Sequence, residues 1–191
     1  MKIYRTHKFA SPPTLSLDET DAPKPEKGQL LIEVRAAGIH LADFATLAGE
    51  RNPRPELPFA PGMEGAGRIA GLGGSTKGFK EGDRVVFFQP WGSLAEQIVV
   101  DSKSCLKVGD GLTDGLAASL PFAYAGALIG LRDKARLEEG ETLLVLGAGG
   151  LQGLAALEIG KALGANVIAS AAGDTRGDAA IIAPSLAPAR H

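Results

Sequence analysis

The chain has 191 residues, 45% of them hydrophobic and 22% charged, with a formal net charge of −2. That apolar content argues against disorder of the whole chain, and the near-neutral charge supplies no basic field for nucleic acid or an anionic membrane. One cysteine, Cys105, excludes an internal disulfide and a cysteine-based zinc cluster.

The length allows one large domain or two small ones. The start, MKIYRTHKFASPP, lacks the apolar segment of a secretory signal. QLLIEVRA (Gln29–Ala36) alternates as a half-buried strand does, and Gly67–Gly73 reads as another strand. GDRVVFF (Gly82–Phe88) is a turn followed by a β-branched and aromatic strand, and Ser93–Val100 alternates again. Short strands at this spacing predict a compact barrel-like β domain. Near Leu112 the chain becomes rich in alanine and leucine at helical spacing. Thr113 or Asp114 can cap one helix and Pro121 can start another. The longest apolar run, Leu116–Leu131, contains Pro121 and is short of the roughly 20 residues a membrane span needs. A cytoplasmic protein is expected. TLLVLG (Thr142–Gly147) is a continuous apolar strand, Leu151–Leu163 a helix ended at Gly164, and Ala165–Ala171 a second strand. A β-α-β unit thus follows the β domain.

The chemistry concentrates where that first strand meets its helix. LGAGGLQG carries Gly147, Gly150 and Gly153 at G-x-x-G-x-x-G spacing. A strand that stops and opens a helix beside a pyrophosphate needs glycine, because side chains would block the backbone's approach. The helix N-terminus then offers free N–H groups and partial positive charge. Leu151 and Gln152 lie within the same turn, and all five positions are candidate cofactor contacts. The other reading is a tight turn whose glycines serve packing alone. The second strand ends in Ser170-Ala171 without an acidic residue, and Arg176 follows. That pattern favours the 2′-phosphate of NADPH over the bare ribose of NADH, with Ser170 and Arg176 as contacts. The alternative is that Asp174 and Arg176 are solvated loop charges.

The order of these pieces resembles the medium-chain dehydrogenase/reductase superfamily, in its zinc-free quinone oxidoreductase (zeta-crystallin-like) branch. The stretches that carry the resemblance are VRAAGIHLADF (Val34–Phe44), LPFAPGMEGAG (Leu57–Gly67), GFKEGDRVV (Gly78–Val86), WGSLAEQIVV (Trp91–Val100), LPFAYAGAL (Leu120–Leu128) and Gly140–Ala169. The resemblance implies an α/β plus β architecture. A GroES-like β-barrel domain (1–120) precedes an incomplete Rossmann cofactor domain (121–176), with an atypical, flexible tail (177–191). It implies hydride transfer from NADPH to a quinone or α,β-unsaturated carbonyl, without metal. Zinc relatives carry cysteine where this chain has His40, and glycine-histidine-glutamate where it reads Gly62-Met63-Glu64. His40 occupies the position of an asparagine near the nicotinamide in quinone reductases, and Asp43 matches an aspartate of that motif. Tyr124 and Gly126 fall on the segment that flanks the nicotinamide, where a threonine is common at Gly126. His40 and Tyr124 are the candidate catalytic residues. Each position also has a structural reading: a bonded histidine, a helix-capping Asp43, a core Tyr124, a barrel-bracing Glu64 and a core Cys105.

Two departures stand out. Leu151 replaces a small glycine of the turn and stands to crowd a pyrophosphate. The tail, with Pro184 and Pro188, opposes the helix that relatives place there. Truncation within the Rossmann domain is expected, with partly bare sheet faces and a homo-oligomer. The alternative function is a truncated, non-catalytic GroES-like interaction module.

Overall fold

The structure is a computed structural model that describes residues 1–74 and 76–171, and the backbone of Ile181–Ala183. The chain divides into two compact units, Met1–Phe122 and Ala123–His191.

The first unit is built on a five-stranded antiparallel sheet. Its strands are β3 (Gln29–Gly38), β4 (Glu64–Leu72), β5 (Arg84–Phe88), β6 (Gln97–Asp101) and β7 (Cys105–Lys107), in the order β6-β3-β4-β5-β7. A separate antiparallel pair, β1 (Lys2–Arg5) and β2 (Ser16–Glu19), touches this body through bridges from Ile3 to Ala95 and from Thr6 to Phe59. The alternation read in β3 holds. Leu30 and Ile32 are fully buried, and pairing sets them beside Val100, Ile98 and Ile69 on one core. Cys105 lies in that same core.

Two sequence boundaries shift for identifiable reasons. β6 begins at Gln97 rather than Ser93, because the amides of Ser93 and Leu94 donate to the carbonyls of Gly62 and Pro61 in a neighbouring loop. β4 begins at Glu64 rather than Gly67, since the EGAG stretch pairs with both β3 and β5. Helix α1 (Leu41–Leu47) follows β3, and α2 (Asp114–Ala118) follows β7. Thr113 caps α2 by accepting from the Leu116 amide at 3.3 Å. Asp114 instead receives the nearly buried Arg84 guanidinium at 2.7 Å, which fastens α2 to the sheet. Helix α3 (Leu120–Leu128) carries Pro121 in its first turn.

The second unit holds β8 (Thr142–Leu146), α4 (Leu151–Ala162) and β9 (Asn166–Ala171), with β8 and β9 parallel. Gly164, at φ +81°, follows the end of α4. Val145, Ala148 and Val167 form the buried centre between α4 and the sheet. On the other face of β8, Leu144 and Leu146 stay 55% and 74% exposed. Of the tail 177–191, only Ile181–Ala183 is described. It forms β10, antiparallel to β9, where the sequence reading placed no element. The open backbone edge of β9 offers it a ladder. The remainder of the tail, and Asp174 and Arg176 before it, lie outside the described residues.

Two glycines on β4 separate steric need from mere presence. A Cβ on Gly67 would overlap the Glu33 carbonyl oxygen, whereas one on Gly71 would meet Leu31 at an ordinary 3.7 Å. Gly67→Ala is expected to cost about 1–3 kcal/mol, and Gly71→Ala to be neutral or stabilising by up to about 1 kcal/mol. Urea unfolding followed by tryptophan fluorescence measures both; equal effects would contradict this reading.

Candidate functional site

The first candidate site forms where β3 ends and β4 begins. Their register sets Gly38 opposite Glu64. A Cβ on Gly38 would overlap the Glu64 carboxylate, so glycine there makes room for the side chain. Two residues on, His40 stands at the N-cap of α1. Its Nε2 lies 2.8 Å from Glu64 Oε1, and the two side chains are 7% and 0% exposed. The pair is in ionic contact but poorly aligned, so neither atom makes a well-formed hydrogen bond among the described residues. The second Glu64 oxygen accepts the Phe122 amide at 2.6 Å, and the Phe122 ring stacks on the His40 imidazole with centroids 4.1 Å apart.

Asp43 works beside this pair. One carboxylate oxygen accepts from the His40 amide at 2.8 Å and the other from the Gly62 amide at 3.0 Å. It therefore caps α1 and anchors the loop that leads into β4. Burial pushes the Glu64 carboxyl above its ordinary range. The Phe122 amide and His40 oppose that shift, and the Asp43 carboxylate adds to it. Met63, the residue before Glu64, accepts weakly from Arg51 Nη1 at 3.2 Å. Among the described residues, no group of three or more His, Cys, Asp or Glu side chains is placed to hold a metal. Burial pushes the Cys105 thiol up to about 12, in keeping with a core residue.

The second candidate site is the turn between β8 and α4. Gly147 adopts φ +71° and Gly150 is the N-cap of α4. The first helical bond runs from the Leu154 amide to the Gly150 carbonyl at 2.8 Å. The amides of Leu151, Gln152 and Gly153 precede it and have no partner among the described residues, which leaves them as donors at the helix start. The glycines differ in role. A Cβ on Gly153 would overlap the Gly147 carbonyl and reach 2.7 Å from Ala148 Cα, so Gly153 serves strand–helix packing. A Cβ on Gly150 would meet only the Gly147 carbonyl, at 3.5 Å, so packing does not demand glycine there. Leu151 is 41% exposed and takes no part in the helix–sheet core. Ser170 sits near the end of β9, and its carbonyl accepts the Ala148 amide at 2.9 Å.

Tyr124 and Gly126 lie on α3. The Tyr124 hydroxyl donates to Glu158 on α4 at 2.6 Å, and that bond holds the phenol above its usual range. A side chain at Gly126 would have room, its nearest neighbour being Gln152 Nε2 at 3.9 Å.

Comparison with known proteins places these sites in context. Residues 26–110 match the alcohol dehydrogenase GroES-like domain. The chain is 35% identical over 157 residues to rat quinone oxidoreductase-like protein 2, an alignment spanning 81% of this chain and 45% of that protein. It is 32% identical over 173 residues to pig quinone oxidoreductase, spanning 90% of this chain and 53% of the relative. Among solved structures, the quinone oxidoreductase of Thermus thermophilus, studied also in complex with NADPH, superposes with a TM-score of 0.78. It is 29% identical, over 91% of this chain and 54% of that one. The chain spans about half the length of the curated relatives it matches.

A carboxyl whose value is raised on folding stabilises fully below its unfolded value, about 4.5, and that stabilisation fades as pH rises through the folded value. Glu64→Gln keeps the shape and removes the titration. The variant is therefore expected to gain on the parent protein as pH climbs from about 4.5 towards neutrality. Thermal melts across that range measure the difference; a gap that is flat or widens against the variant would contradict it.

Proposed function

The chain belongs to the medium-chain dehydrogenase/reductase superfamily, in its quinone oxidoreductase branch, and on that premise we propose that it serves NADPH-dependent reduction of a quinone or an α,β-unsaturated carbonyl. The observation that carries this reading is the turn opening α4. Three amides at a helix start that have no partner among the described residues, beside a glycine that packing does not require, suit the paired negative charges of a pyrophosphate. In this reading Gly147, Gly150, Leu151, Gln152 and Gly153 line the pyrophosphate. Ser170, at a strand end with no carboxylate among the described residues, faces the adenosine ribose and leaves room for its phosphate, with Arg176 as the cation. The cofactor, when bound, supplies the hydride.

His40 and Tyr124 are proposed to act on the acceptor. The Glu64 carboxylate and the Phe122 ring fix the His40 imidazole from two sides, so it is presented in one orientation. The Tyr124 hydroxyl is held by Glu158, which steadies α3 against α4. We further propose the domain limits 1–120 and 121–176, a metal-free reaction and a cytoplasmic homo-oligomer. A second reading, a non-catalytic GroES-like module that packs against another chain, draws support from the uncovered Leu144 and Leu146.

Gly150→Val separates the two. Valine suits the extended backbone there, at φ −82° and ψ 163°, yet its branches would occupy the approach to the helix start. Nucleotide fluorescence is expected to show saturable binding that prefers NADPH, lost in Gly150→Val while the melting temperature stays within a few degrees of the parent's. Absence of binding at millimolar nucleotide would favour the module.

A further inference from the structure

The first unit contains a cleft that Met63, the residue before Glu64, helps to line. It has a volume of about 230 Å³, and its walls include Thr46, Met63, Phe88, Pro90 and Trp91. Arg51 is the one charged residue among those that line it. The Arg51 guanidinium forms no ion pair among the described residues, and its one hydrogen bond there is the weak contact to the Met63 sulfur. A guanidinium carries five N–H donors in a planar fork that matches a carboxylate, and thioether sulfur is a poor acceptor. The cleft therefore joins an apolar and aromatic wall to an exposed cation that forms no ion pair among the described residues.

We propose that this cleft seats a planar aromatic acceptor bearing an anionic substituent, and that Arg51 selects for that charge. The inference rests on the reductase reading, since the seated molecule is the acceptor of that reaction. The aromatic and apolar side chains take the ring face. The guanidinium takes the substituent in a charge-assisted pair at the mouth of the cleft. A neutral ring of the same shape keeps the first contact and loses the second.

Trp91, the single tryptophan of the chain, lines the cleft and reports on it directly. The full chain is titrated, without nucleotide, with a naphthoquinone carboxylate and with the matching neutral carboxamide, and quenching of Trp91 is read. The carboxylate is expected to bind about tenfold more tightly. Arg51→Gln is expected to bring the carboxylate down to the carboxamide's affinity and leave the carboxamide unchanged, and Arg51→Lys to keep part of the preference. Arg51 is exposed, so neither change threatens the fold. Equal affinity for the two probes, a preference that survives Arg51→Gln, or no quenching by either would overturn the proposal. NADPH binding, followed separately by nucleotide fluorescence, judges the reductase reading. Nucleotide binding without a charge preference sinks the cleft assignment alone, whereas a charge preference without nucleotide binding sinks the reductase reading and leaves the cleft a site for aromatic anions that are not acceptors.

Discussion

Burying a carboxylate is among the costliest things a small domain can do, and Glu64 is buried completely. The surrounding residues fit that fact. Gly38 lacks the side chain that would exclude the carboxylate, the Phe122 amide satisfies one oxygen, and the His40 imidazole faces the other. Asp43 then holds both the backbone of His40 and the loop before Glu64. One side chain thus ties together the end of β3, the start of β4, the cap of α1 and the first turn of α3. The imperfect alignment of the His40–Glu64 contact has a cost too, because two buried polar atoms stay short of a hydrogen bond among the described residues. Such a cost is commoner at functional sites than in a core kept only for stability.

The glycine turn follows a different logic. Gly153 brings α4 close to β8, and Gly147 makes a left-handed turn, so neither by itself points to a ligand. Gly150 is the informative position, because packing leaves it free to carry a side chain and none is there. A bare backbone at a helix start, with three donors that no described residue meets, fits a ligand's charge better than it fits packing.

Much of this was legible in the sequence. Alternation marked β3 and β6, and β-branched residues marked β5. The glycine turn between an apolar strand and a helix marked the start of α4. The resemblance to oxidoreductases, carried by six stretches in order, gave the architecture. β1, β2 and β7 were missed because they are only three or four residues long, and β2 is largely exposed with no apolar face to set a period. His40 and Glu64 were each singled out, but their contact depends on the β3–β4 register and its irregularities, which no local pattern encodes. The Tyr124–Glu158 bond joins residues 34 apart on separate helices and had no sequence signal. Arg51 and Trp91 drew no attention as acceptor residues, because only the folded loops bring them to one cleft.

The central claim is that the backbone opening α4 holds a nucleotide pyrophosphate. Amide resonances of Leu151, Gln152 and Gly153, followed by NMR as NADPH is added to the full chain, test it at the atoms involved. The account predicts saturable shifts concentrated on those three amides, reached at lower concentration with NADPH than with NADH. Shifts that fall elsewhere while these amides stay still, or no shift at millimolar nucleotide, would contradict it.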